Sequence, residues 1–160
     1  MSVTGGNTEG IKKSFDNLMA LLKEQSTDQQ KIEEIKDGYK KIILYKAGEL
    51  LKKDRGYPIN MLYLEMRLGE YENLADYMGI NMNNELRAIN EKAHRVQIKN
   101  CIVSALKYGE NYWLNMAETS AKEMEWNISS QINKVKRYSQ RNAFSRKFLG
   151  FLYNRTGVLW

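Results

Sequence analysis

Apolar side chains recur at intervals of three and four along most of this chain, and alternation at every second position is rare. That spacing lays them along one stripe of an α-helix, so the pattern predicts an all-α fold. Ile11, Phe15, Leu18 and Leu22 mark a first helix over about 9–25, with Lys12, Lys13, Asp16 and Lys23 off the stripe. Thr27 followed by Gln30 has the spacing of a capping box, and Ile32, Ile35, Tyr39, Ile42, Ile43 and Leu50 carry a second stripe to about residue 53. Lys52, Lys53, Asp54, Arg55 and Gly56 end it, and Tyr57 before Pro58 is biased to extended backbone.

Met61, Leu64, Leu68, Tyr71, Leu74 and Met78 predict a third helix, closed by Gly79 as its C-terminal cap. From Asn81, a residue suited to an N-cap, Leu86, Ile89, Ala93, Val96, Val103 and Leu106 carry a fourth stripe to Tyr108 and Gly109. Trp113, Ala117, Ala121, Met124, Ile128, Ile132 and Val135 then recur at spacings of three and four, the seam of a helical bundle or coiled coil. Gly109 costs only about 1 kcal/mol inside a helix. The stretch 83–138 is therefore expected to form one or two long helices, either turning at Gly109 or fused through it. A last helix over about 141–153 carries Phe144, Phe148, Phe151 and Leu152. The expected architecture is a bundle of five to six helices in a single domain, 1–160, with residues 1–8 flexible.

Composition changes this picture little. A chain of 160 residues buries about two thirds of its unfolded surface without disulfide or metal. Cys101 is the single cysteine and no apolar run reaches the length of a membrane span, so a reduced, cytoplasmic setting is expected. Asn, Lys, Ile and Tyr, all with AT-rich codons, supply 15, 17, 12 and 10 residues, which points to a low-GC bacterium or one of its phages.

The groups that usually carry catalysis are scarce. His94 and Cys101, the only residues of their kinds, lie seven apart on one helix face, two ligands where structural zinc takes four. No Gly-rich phosphate loop is present, and Glu65, Glu70, Glu72 and Glu118, Glu123, Glu125 have the clustering of solvated helix faces. The expectation is a non-enzymatic protein with no metal and no cofactor.

Charge is where the chain departs from the ordinary. After Glu125 there is no Asp or Glu, yet Lys134, Lys136, Arg137, Arg141, Arg146, Lys147 and Arg155 supply seven cations, more than the whole chain's net +6. These seven are the candidate contacts to nucleic acid or another polyanionic surface, where phosphate contacts release counterions. Tyr138, Phe144, Phe148, Tyr153 and Trp160 are interleaved with them, but the stripe of Phe144, Phe148, Phe151 and Leu152 is expected to pack inward as core. An anionic membrane surface or an acidic groove on a partner would suit the same charges. The apolar seam of Trp113, Ala117, Ala121, Met124 and Ile128, with Trp160 after the apolar Val158 and Leu159, is the candidate self-association surface. The expected function is an oligomeric accessory protein binding nucleic acid, single-stranded or through backbone contacts only. The alternative is a structural or inhibitory protein-interaction factor, such as a virion component or a phage protein occupying a host protein's surface.

Overall fold

The computed structural model describes residues 6–25, 29–51 and 58–157. Regular structure among them is entirely α-helical: α1 (Gly6–Gln25), α2 (Gln29–Glu49), α3 (Met61–Tyr77), α4 (Asn83–Tyr108), α5 (Asn111–Glu123), α6 (Ser129–Ser139) and α7 (Ala143–Thr156). The all-α expectation holds, with seven helices among the described residues against the five to six expected. The chain divides into two compact units, one of residues 1–52 and 62–89, the other of 53–61 and 90–160. No described helix is long and apolar enough to cross a membrane. Thr27 of the expected capping box, the stop at 52–56 and the terminal Val158, Leu159 and Trp160 lie outside the described residues. α1 begins at Gly6, inside the segment expected to be flexible.

In the first unit the stripes of α1 and α2 meet through Phe15 and Tyr39, whose rings stand edge to face at 5.2 Å and 89°. The Tyr39 hydroxyl also lies 2.8 Å from Ser14 Oγ, so the ring's apolar body and polar tip are both satisfied. The Tyr77 hydroxyl donates to Asp16 at 2.9 Å, which holds the tyrosine's ionisation above its ordinary value, while Lys12 sits 4.1 Å above the Tyr77 ring. Lys40 pairs with Glu85 at 2.6 Å and holds that carboxyl below its usual range, joining α2 to the start of α4. α3 buries Leu64, Leu68, Tyr71 and Leu74 of the stripe read from its sequence, with Arg67 and Ala75 beside them. It ends as Gly79 does best: φ is +65°, Ile80 N–H donates to Ala75 C=O at 2.9 Å and Gly79 N–H to Asp76 C=O at 3.0 Å. Those two bonds form a Schellman stop around a left-handed residue.

The second unit has one continuous core. Ile98, Cys101, Ile102, Ala105 and Leu106 of α4 pack with Leu114, Ala117 and Ala121 of α5, Ile132 and Val135 of α6 and Tyr153 of α7. Trp113, Met116, Trp126, Ile128 and Tyr138 cover it. Burial of a leucine or isoleucine at such a site contributes about 2–5 kcal/mol, judged from truncation to alanine.

The long seam over 83–138 is broken twice. At Gly109 the backbone turns left-handed, φ +76°, and Gly109 N–H caps Ala105 C=O at 2.8 Å, so α4 and α5 do not fuse. At 124–128 the chain leaves the helix again through Glu125, the only described non-glycine residue with positive φ, at +57°. Trp126 N–H donates to Ala121 C=O at 2.8 Å and Glu125 N–H to Lys122 C=O at 3.1 Å, the same stop as at Gly79 built on a residue with a Cβ. Asn127 Oδ1 then accepts from Ser129 N–H at 3.0 Å and starts α6. Ile128 of the expected seam, with Trp126, covers the core from the turn and not by continuing a helix.

A left-handed non-glycine residue costs about 1–2 kcal/mol, partly offset because glycine loses about 0.5–1 kcal/mol more chain entropy on folding. Glu125→Gly should therefore raise stability by up to about 1 kcal/mol in urea unfolding with an unchanged slope. A loss of stability would contradict the stop described here.

Candidate functional site

The seven cations expected to make contact do not sit alike. Lys136, Arg137, Arg141, Lys147 and Arg155 are exposed, whereas Lys134 and Arg146 are half-buried. Arg146 lies over the α4–α5 turn: a β-carbon on Gly109 would collide with its Nη1. Its guanidinium therefore fills the space that glycine leaves, and it braces α7 against the turn. Two of the exposed arginines rest on rings of their own helices or turns, Arg141 at 4.9 Å from the Tyr138 centroid and Arg155 at 5.2 Å from that of Phe151.

The phenylalanines overturn the expectation that they are core. Phe144 is 81% exposed and Phe148 and Phe151 are each 54% exposed. α7 turns a different side inward, with Gly150 and Tyr153 buried. At Gly150 the helix comes close to α4, where a β-carbon would meet Leu106 Cβ at 3.5 Å and the Val103 carbonyl at 3.6 Å. Residues are about 100° apart around a helix, so Phe144, Phe148 and Phe151, with Arg155 two turns beyond Phe148, share the opposite side. Asn142 accepts from Ser145 N–H at 2.8 Å and fixes where the helix starts, and Gly157 at φ +69° ends it. A cationic, aromatic face is thus displayed on a rigid element.

The unit carrying that face is strongly polarised. Residues 53–61 and 90–160 hold fourteen basic and six acidic side chains, a net of +8, while the other unit holds eleven and thirteen, a net of −2.

The candidate self-association residues are largely committed within the unit itself. Ala117 and Ala121 are buried in its core, Trp113 and Ile128 pack against that core and Met124 is half-buried; Trp160 lies outside the described residues. The seam read as an intermolecular surface is thus an internal one wherever it is described.

His94 is 1% exposed. Its Nδ1 lies 2.9 Å from Ser120 Oγ and 3.7 Å from Glu123 Oε2. A nucleophile relay needs the serine on one ring nitrogen and the carboxylate on the other, whereas here both face the same nitrogen. Ser120 is itself buried, so the trio ties α5 to α4. Glu70 is paired with Arg67 one turn away on α3. Burial pushes the Cys101 thiol up to about 12, and it stays protonated and unreactive through neutral pH.

Comparison with protein families, curated proteins and solved structures returns no match to this chain. The surface itself carries the functional conclusion.

Two outcomes follow from this geometry. Gly109→Ala should cost about 2 kcal/mol, combining left-handed strain with displacement of Arg146, and in an Arg146→Ala background only the strain, about 1 kcal/mol, should remain. Equal costs in both backgrounds would separate Arg146 from the turn. Cys101 should resist iodoacetamide at pH 8 in the native protein and react stoichiometrically in guanidinium. Between about 9 and about 12 its thiol is protonated in the folded chain and ionised in the unfolded one, so it draws stability down as pH rises through that window.

Proposed function

We propose that this chain is a non-enzymatic accessory protein, with its helices packed as a bundle, that binds single-stranded nucleic acid through the basic face of its C-terminal unit. The observation that carries the proposal is α7, which displays Phe144, Phe148 and Phe151 to solvent beside Lys147 and Arg155, within a segment that holds no acid after Glu125. Cations alone would suit any polyanion. Exposed rings among them add the stacking surface that unpaired bases use, worth about 1–3 kcal/mol per base. Lys136, Arg137, Arg141, Lys147 and Arg155 supply the phosphate contacts, and Arg146 supports the face from behind. Such contacts are non-specific, because phosphates carry no sequence information.

A protein partner is the second reading, favoured by a different surface: Leu62, 80% exposed, and the exposed Tyr63 and Met66 in the first turns of α3. Exposed apolar groups of that size mark interaction surfaces.

Arg137→Glu, Arg141→Glu and Lys147→Glu combined should abolish retention on a labelled single-stranded oligonucleotide at low salt and leave helicity by circular dichroism unchanged. The parent's log Kd against log salt should have a slope of about 3–4, from five phosphate contacts at about 0.7 each. Equal retention of parent and variant would overturn the proposal. A stoichiometric protein that stays bound through nuclease and high salt would instead select the second reading.

A further inference from the structure

Beside Phe151, α4 and α7 enclose a cleft of about 240 Å³, lined by Val103, Lys107, Lys147, Gly150, Phe151 and Asn154. We infer that this cleft is a pocket for one unpaired base, with the phosphates on either side of it held by Lys107 and Lys147. The inference rests on the nucleic-acid proposal above and names the part of the ligand that the cleft takes.

Four features of the cleft fit a base better than a bare anion. Its floor is open, because Gly150 has no side chain, and Val103 presents both its side chain and a backbone carbonyl to that part of α7. One wall is the Phe151 ring, half open to solvent and able to stack on a planar heterocycle. Its polar rim is a pair of exposed lysines, one from each helix, with no carboxylate among the lining residues. Asn154 adds an amide, which both donates to and accepts from a base edge and so tolerates more than one base. The volume is below the roughly 300–1,000 Å³ of sites that enclose drug-sized ligands, and a single ring system is the largest group it suits.

The rings along α7 argue for an unpaired strand in particular. At 1.5 Å per residue, Phe144 and Phe148 are about 6 Å apart along the axis, and Phe148 and Phe151 about 4.5 Å. Stacked bases in a duplex repeat every 3.4 Å or so. Successive bases can follow such a ladder only if they unstack from one another, which a single strand permits and a duplex resists. Phe151 then forms the inner end of the ladder, where a base leaves the open surface and enters the cleft.

The test uses the full chain and fluorescence anisotropy with labelled 15-residue strands of oligo(dT) and oligo(U), each paired with a strand of equal charge whose central bases are replaced by abasic sugars. The parent should bind at least one intact strand about ten-fold more tightly than its abasic counterpart, and whichever sugar shows the gap names the polymer. Phe151→Ala should cut that gap at least three-fold without changing the salt slope, and Phe151→Tyr should retain it. Lys107→Gln with Lys147→Gln should lower the slope by about 1.4 while leaving the gap. Phe151 is half exposed, so its truncation leaves the fold intact, and circular dichroism checks this. Failure of the parent to bind any strand at 50 mM salt overturns the nucleic-acid proposal and the pocket with it. Equal binding of intact and abasic strands, or a gap that Phe151→Ala leaves undiminished, overturns the pocket alone.

Discussion

The contact between α7 and α4 at Gly150 decides what the second unit shows to its surroundings. With no side chain at that position, α7 lies within van der Waals reach of Leu106 and of the Val103 carbonyl. The contact fixes the rotation of the helix, since the residues opposite Gly150 must then face outward. Those residues are Phe144, Phe148 and Phe151. Arg146 sets the same rotation a turn earlier by filling the space over Gly109, so a glycine at each contact receives the other helix's approach. A β-carbon at Gly150 would stand at ordinary van der Waals distance from Leu106 and the Val103 carbonyl, so only a side chain longer than alanine's would press α7 off α4, whereas a β-carbon at Gly109 would displace the end of Arg146.

Electrostatics reinforces that packing choice. An α7 turned with its phenylalanines inward would have to bury Gly150 and Tyr153 less and would take three large rings out of water, a gain of about 1.5–3 kcal/mol for each. The chain forgoes that gain and keeps the rings beside Arg141, Lys147 and Arg155. Arg155 lies over the Phe151 ring, and Lys107, at the end of α4, lies 4.9 Å from the Tyr108 centroid. Each such pair contributes about 0.5–1 kcal/mol at an exposed site, which is less than burial would have contributed. These pairs alone therefore do not offset the burial forgone, and the proposed ligand would bring the apolar surface that the rings lack in the free chain.

Much of the helical content was legible because burial imposes a period of 3.6, and α3 follows its stripe closely, whereas α4 buries Ile98, Cys101, Ile102 and Ala105 beside the stripe read from it. Gly79 was legible as a stop because glycine alone takes left-handed backbone without penalty. The break at Glu125 was hidden for the converse reason: a glutamate there looks like one more solvated helix position, and the apolar residues that follow keep helical spacing because they pack on the same core from a turn. The sign available in sequence was Asn127 two residues before Ser129, a turn pattern inside an apolar run. The cations were legible as a segment without acids, but their roles were not. Arg146 differs from Arg137 only in what lies across from it, a glycine 37 residues away in sequence that the local pattern does not register.

Amphipathicity explains why the phenylalanines were misjudged. A stripe of apolar side chains establishes that a helix has two unlike sides, and the assumption that the more apolar one faces the core follows from the hydrophobic effect only when packing is free to choose. On α7 the side that carries glycine allows a closer approach to α4 than any side bearing phenylalanine could, and Tyr153 from that same side joins the core. Close approach lets many small dispersion contacts form at once, and their sum competes with the area that three rings would bury. The outward rings are then the residue of that competition, placed beside a net charge of +8 in the same unit. Such a surface has two unmet demands, for apolar contact and for negative charge, and a strand of unpaired nucleotides meets both in alternation along its length.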